Sequence, residues 1–301
     1  MKITIIIIIG ILCAGIVAVG CSSVSQTEQS LHSQLLATPD QEEQIQELIR
    51  HIVTPSVEQQ DSIIKKLQGM DPAVINPVLM KLLKDNDSWT RYSTISAINE
   101  LKIKEAIPEI IKLLNDDDSD VRITAVYSLD EFNYQEAIPE IIKLLEDKRS
   151  EVRGSAADAL SILNAKEAIP KIIKLLDSSD WYERQSCAKA LGKLGAKEAI
   201  PSLIKLLYDK SEGVRCVAVM SIDELNAKEA VTDLIKIISN ESWSIRLKIV
   251  RMLSKFNAKE SIPEINKFLN DENEQLRQES EKVLKELGVS EDEIQKTKEG
   301  K

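Results

Sequence analysis

The chain has 301 residues, 43% of them hydrophobic and 29% charged, with a formal net charge of −10. The apolar share is enough for a folded core, whereas 4% aromatic residues, ten glycines and nine prolines argue against a β-sandwich or a low-complexity polymer. Acidity argues against a nucleic-acid binder, which needs a basic stripe to release phosphate counterions, and is compatible with a basic partner surface.

The chain opens MKITIIIIIGILCAGIVAVGC: one lysine, an apolar run from Ile3, then Ala18, Val19 and Gly20 ahead of Cys21. A charged start, an apolar middle and small residues before a cut mark residues 1–20 as a secretory signal. The ending resembles the lipobox of bacterial lipoproteins. That resemblance implies cleavage before Cys21 and a covalent lipid on its thiol. An uncleaved anchor is the alternative, since roughly 18 apolar residues just span a bilayer. Both readings put the remainder outside the cytoplasm, anchored to the bacterial cell membrane or outer membrane. By the same resemblance, Ser22 after the cysteine implies outer-membrane sorting. Residues 21–42 are polar and lack sustained periodicity, which predicts a flexible tether.

Residues 43–72 carry two short apolar patterns, Ile45, Leu48 and Ile52, then Ile64, Leu67 and Met70. Both have helical spacing. They fit the register of the units that follow but lack their Pro, Arg and Asp, so this segment reads as an N-terminal capping unit.

From residue 73 to 288 the chain repeats every 31 residues. Pro77, Pro108, Pro139, Pro170, Pro201 and Pro263 share one slot, with Thr232 in the remaining place. Arg91, Arg122, Arg153, Arg184, Arg215, Arg246 and Arg277 share another, and Lys81, Lys112, Lys143, Lys174, Lys205, Lys236 and Lys267 a third. Seven copies without an insertion predict a solenoid. In one unit, Ile107, Ile110, Ile111, Leu113 and Leu114 form the apolar face of a first helix. Pro108 belongs in its first turn, where the missing N–H costs nothing. Asn115–Ser119 is a turn rich in cap residues. A second helix from Asp120 to Phe132 buries Val121, Ala125, Leu129 and Phe132. It ends at Asn133, whose slot elsewhere holds Asn164, Gly195, Asn226 and Asn257, residues that accept the left-handed conformation. The last second helix, from Asn273, has Ser280 and Glu281 where inner units have apolar or small residues, which predicts an exposed C-terminal cap. Residues 289–301 read as a polar tail.

The phrase EAIPxxIKLL, followed by Asp, VR, small residues and Leu, resembles short HEAT-like repeats of the type named after phycobilisome lyases, over residues 43–288. The resemblance implies an all-α, right-handed α-α superhelix, a HEAT-like α-solenoid of about eight two-helix repeats. It also implies a ladder in which an Asp ending the first helix pairs with the Arg of the second. The Asp slot holds Asp85, Asp116, Asp147, Asp209 and Asp271, beside Arg91, Arg122, Arg153, Arg184, Arg215, Arg246 and Arg277. Ser178 and Asn240 interrupt it, so the ladder is expected to be incomplete around Arg184 and Arg246.

No catalytic constellation stands out. The two histidines, His32 and His51, have no metal-ligand or triad spacing. Asp116–Asp118 lacks the Gly and Glu of a calcium loop, and no Gly-rich phosphate loop exists. No metal and no cofactor are expected. Cys187 and Cys216 fall at different positions on neighbouring helices and read as free thiols.

Slots on the second helix that vary while the core stays fixed are candidates for binding. One runs Tyr92, Ile123, Gly154, Gln185, Cys216, Leu247, Gln278; another Ser96, Tyr127, Asp158, Lys189, Met220, Arg251, Lys282. They lie one turn apart on one face. Trp89, Trp181 and Trp243 fall at the turn entering a second helix, with Tyr182 beside the second of them. Either each Trp covers its own turn, or they form a row of aromatic anchors. The candidate contacts are therefore Trp89, Tyr92, Ile123, Tyr127, Trp181, Tyr182, Met220, Trp243 and Leu247. The function expected is a membrane-tethered, non-enzymatic scaffold for a protein or peptide. A bilin-lyase-like or other enzyme accessory and a structural envelope component are the alternatives.

Overall fold

The computed structural model describes residues 37–53 and 56–300; the expected signal, Cys21 and most of the expected tether lie outside them. Among the described residues there are 17 α-helices and no strand, arranged as a HEAT-like α-solenoid. The chain divides into two units between Ile103 and Lys104.

The first unit holds α1 (Pro39–Arg50), α2 (Val57–Gln68), α3 (Pro72–Leu82) and α4 (Ser88–Leu101). Order begins earlier than the expected boundary at residue 43, because Thr38 and Gln41 form a reciprocal capping box and Pro39 opens α1. Of the expected slots Ile45, Ile52 and Leu67 are buried, whereas Leu48, Ile64 and Met70 are half-buried and Ile49 is buried in place of Leu48. Pro77 departs from the expected first-turn position: α3 starts at Pro72, capped by Asp71, so Pro77 lies inside it and removes one intrahelical bond.

The second unit holds six hairpins and one further helix. The hairpins are α5 (Ile107–Lys112) with α6 (Ser119–Glu131), α7 (Ile138–Lys143) with α8 (Ser150–Ile162), and α9 (Ile169–Leu175) with α10 (Trp181–Lys193). After these come α11 (Ile200–Leu206) with α12 (Glu212–Glu224), α13 (Val231–Ile237) with α14 (Trp243–Lys255), and α15 (Ile262–Asn266) with α16 (Glu274–Glu286). First helices are shorter than their apolar pattern, because in several units the closing leucines form a separate 3₁₀ turn such as Leu113–Asn115. The Glu-Ala phrase before each first helix forms another, such as Lys104–Ala106. The alanine of that turn, Ala106, Ala137, Ala168, Ala199 or Ala230, is wholly buried, which leaves no room for a larger side chain.

Each second helix closes the same way. Asn133, Asn164, Gly195, Asn226, Asn257 and Gly288 all have positive φ. The next residue's N–H then reaches back five residues to close a Schellman motif, as in Tyr134 N–H to the Leu129 carbonyl at 2.9 Å. Val121, Ala125 and Leu129 are fully buried, and successive second helices pack against one another. One hairpin cannot shield this face, so each is covered by the next.

The arginines tie the stack together, though not as expected. Arg122 donates from Nη1 to the carbonyls of Asp116 and Asp117, closing its own turn, and from Nη2 to Asp147 Oδ1 of the next hairpin at 2.9 Å. Arg184 likewise holds Asp209 at 2.7 and 2.8 Å, and Arg246 reaches Asp271 at 3.0 Å. Pairing runs forward to the following repeat, so Arg184 and Arg246 both find a carboxylate, although Arg246 Nε stays buried without an acceptor. The rungs that Ser178 and Asn240 would empty belong to Arg153 and Arg215. Both are filled by glutamates: Glu183 takes Arg153 through two bonds of 2.6 Å, and Glu241 takes Arg215 at 2.6 and 3.1 Å. Burial opposes ionisation of Asp209, but Arg184 and the Ser211 N–H more than offset it and hold its carboxyl below the usual range. Arg277 closes its own turn on the carbonyls of Asp271 and Glu272.

The C-terminal end also differs from expectation. Residues 291–298 form α17 (Glu291–Lys298), started by a Ser290–Glu293 capping box. Ile294 is buried, Ser280 is wholly buried, and Glu281 pairs with Lys298. The predicted exposed cap is therefore covered by what reads as a polar tail: a single apolar residue on a well-capped turn suffices.

Candidate partner-binding face

In the second unit α6, α8, α10, α12, α14 and α16 pack side by side, each against the next. Their outward slots make the candidate face. Tyr127, Trp181, Met220 and Trp243 are 41%, 52%, 43% and 48% exposed, a high value for large apolar groups in a chain whose other such groups are mostly enclosed. Ile123, Tyr182 and Leu247 are half-buried beside them. In the first unit Trp89 is exposed and stacks on Tyr92, with ring centroids 5.4 Å apart. Its indole N–H donates to the Arg50 carbonyl at 3.3 Å, so Trp89 also fastens α1. Trp181 meets Tyr182 edge-on at 6.2 Å.

Some variable slots vary for packing and not for binding. Gly154 sits under the Tyr182 ring: a Cβ there would lie 3.0 Å from Cε1. Gly192 faces α12 equally closely, 2.9 Å from Ser221 Cβ. Ser155, Ser161 and Ser186 are buried. Small residues on α8 let Tyr127 and Tyr182 close over it, with the Tyr127 hydroxyl 3.2 Å from Ser155 Oγ. Burial pushes the Tyr127 hydroxyl up to about 12, so it stays protonated.

The face carries charge as well. Asp158 accepts from Ser186 Oγ at 3.0 Å and lies 3.1 Å from Lys189 Nζ. Burial pushes Asp130 up to about 6; Lys193 opposes this, while Asp158 and Glu131 add to it. Towards the C-terminus, Lys255 meets Asp223 at 2.6 Å and Arg251 meets Glu279 at 3.2 Å.

Sequence reasoning missed Glu183 and Glu241. The signal for Glu183 was present: it is the one charged residue in a column otherwise filled by Thr90, Val121, Val152, Val214, Ile245 and Leu276, in the repeat that has Ser178 for Asp.

No group of three His, Cys, Asp or Glu side chains converges as a metal site among the described residues. Cys187 and Cys216 are free thiols, and burial raises the Cys187 thiol far above its ordinary range. None of the described helices is long and apolar enough to cross a membrane.

The profile of HEAT repeats matches residues 42–129, 107–191, 143–216, 169–242 and 231–296. The chain belongs to the HEAT-repeat family. Among solved structures this HEAT-repeat chain is similar to YibA from E. coli, with a TM-score of 0.64 at 19% identity over 91% of this chain and 100% of that one. It is similar to an engineered protein, with a TM-score of 0.51 at 21% identity over 85% and 81%. A third is the complex of CpcE and CpcF of phycocyanin lyase from Nostoc sp. PCC7120, with a TM-score of 0.47 at 22% identity over 77% and 94%. These identities speak to the fold alone. A search of curated proteins returns no match. HEAT repeats make the chain a scaffold of the kind that mediates protein interaction.

Proposed function

We propose that this HEAT-repeat chain is a lipid-anchored, extracytoplasmic scaffold that grips a protein or peptide on its second-helix layer by surface complementarity, without a covalent step. One observation carries the binding face: Tyr127, Trp181, Met220 and Trp243 stay exposed on slots that vary from repeat to repeat. Aromatic and methionine side chains supply contact area at low entropic cost and concentrate at binding hot spots. The anchor rests on residues 1–21, where the lipobox-like ending makes Cys21 the acylated N-terminus.

Crosslinking in the native host, followed by capture of the mature chain and mass spectrometry, reports the partner and the Cys21 modification together. Replacing Trp181 and Trp243 together with Ala is expected to abolish capture while leaving the melting temperature within about 2 °C. Neither indole is enclosed, and exposed substitutions are usually within about 0.5 kcal/mol. Full capture by the double variant, or a large loss of stability with capture retained, returns the tryptophans to a purely structural role.

A further inference from the structure

In the second unit each inner first helix opens on an aliphatic residue that the stack encloses. Ile107, Ile138, Ile169, Ile200 and Val231 are all no more than 9% exposed. Ile262, which opens α15, is the last of this column and stays half-buried. After it comes α17 in place of another regular first helix. Counting 31 residues on from Ile262 and Ile265 gives Glu293 and Lys296, both exposed. The units from Ile107 to Leu234 have two buried aliphatic side chains at these slots. α17 buries Ile294 instead. The end of the stack is therefore covered, but the place of two aliphatic side chains is left open.

An open cavity of about 600 Å³ lies there, between the start of α15, the Leu287–Val289 turn and α17. Ile262, Leu287 and Val289 supply its apolar wall, and Lys259, Glu293 and Lys296 stand around it. That volume is in the range of ligand pockets. The charge around it is one-sided. Glu293 Oε2 is engaged in the cap of α17, accepting from the Ser290 N–H at 3.0 Å and the Ser290 hydroxyl at 2.7 Å. Neither Lys259 nor Lys296 forms an ion pair with a described residue, whereas Lys267 of the same repeat is held by Glu264 at 2.6 Å. An uncovered aliphatic surface thus lies beside two ammonium groups that lack close partners. In inner units a polypeptide fills this slot with an aliphatic side chain. The last residue of a chain brings such a side chain and a carboxylate together.

We propose that the cavity between α15 and α17 docks the C-terminal residue of another protein. Its aliphatic side chain lies on Ile262, Leu287 and Val289, and its carboxylate faces Lys259 and Lys296. This site is at the end of the stack and does not depend on the second-helix layer being a binding face.

The test uses the full chain and fluorescein-labelled Gly-Ser-Gly-Ser-Ile with a free carboxylate, followed by fluorescence anisotropy at about 0.15 M salt, where long-range attraction is screened. The same peptide as its C-terminal amide is expected to bind about tenfold more weakly, the loss of roughly one charge-assisted contact. A peptide ending in Ser should lose about tenfold through the missing aliphatic burial. Lys259→Ala with Lys296→Ala is expected to weaken the free acid about tenfold without changing the melting temperature, since both lysines are exposed. Lys197→Ala with Lys228→Ala removes the same charge from equivalent turns of earlier repeats and should change binding by less than about twofold. Equal weakening by both pairs would mean that the peptide senses only overall charge, and overturns the site. So do equal binding of acid and amide, and absence of saturable binding. Displacement by isovalerate as effective as by unlabelled peptide would make the cavity a site for small aliphatic acids, and also overturns the proposal. A dimer in sedimentation that Lys259→Ala with Lys296→Ala dissolves would give the cavity to a second copy, with the same consequence. The Trp181 and Trp243 double variant should bind the peptide like wild type. If it does not, the peptide sits on the second-helix face and the end site falls while that face stands.

Discussion

Replacing Glu183 with Val tests the arginine ladder at its least regular rung. Val is what the same slot holds in three other repeats, Val121, Val152 and Val214, so the change is tolerated sterically. It strips Arg153 of both carboxylate bonds, leaving the Asp147 carbonyl at 2.7 Å. Removing one member of a buried, hydrogen-bonded pair costs about 3–5 kcal/mol. Here the Arg153 side chain is 21% exposed against 0% for Glu183, so water re-solvates part of the guanidinium and the cost falls to about 2 kcal/mol. At roughly 2–4 °C per kcal/mol for a chain of this size, the melting temperature should drop by about 4–8 °C. Circular dichroism during heating and amide exchange of α8 and α10 report it. Adding Ser178→Asp restores the carboxylate at the slot from which Asp147 and Asp209 serve Arg122 and Arg184, and should recover at least half of the loss. A Glu183→Val protein that melts like wild type, or a second change that recovers nothing, refutes the reasoning that forward pairing holds the stack.

Three further outcomes follow from the geometry. Asp130→Asn should raise the melting temperature by a few degrees at pH 7.5 and by nothing at pH 4. A carboxyl raised to about 6 favours the folded state most below its unfolded pKa near 4, and that contribution is lost as pH rises through about 6, with Lys193, Asp158 and Glu131 as the groups acting on it. Equal stabilisation at both pH values refutes that burial cost. Gly154→Ala should cost about 1–3 kcal/mol by forcing its Cβ against Tyr182, visible as a change in near-ultraviolet circular dichroism; an unchanged spectrum contradicts the contact. Deleting residues 289–301 should expose the end of α16 and cost about 2 kcal/mol through lost Ile294 burial, with faster amide exchange confined to α15 and α16; unchanged exchange there contradicts the capping role.

Much of the fold was legible because the repeat exposes each slot several times. The asparagine and glycine column predicted the left-handed helix ends, and the structure adds Lys102 with φ 55° in the same slot. What stayed hidden depends on neighbours in space. Slot identity says that an Arg needs a carboxylate but not that the next repeat supplies it, so the forward direction of the ladder and its repair by Glu183 and Glu241 needed coordinates. Variation at Gly154 resembles freedom to bind, yet it answers the Tyr182 ring one repeat away. Residues 289–301 look like tail because two apolar residues, Val289 and Ile294, cannot make a periodic pattern. The aromatic slots were legible as candidates, but not that Trp89 is fastened to Arg50 while Trp181 and Trp243 remain half exposed.

The most direct measurement places a photo-reactive residue at one position at a time in the native host. Met220, exposed on α12 within the second-helix layer, is compared with Tyr208, which is still more exposed just after α11 and bonds Asp233 at 2.7 Å. The account predicts a discrete crosslinked adduct from position 220 and none from position 208. Adducts from 208 alone, or the same adducts from both, would contradict it.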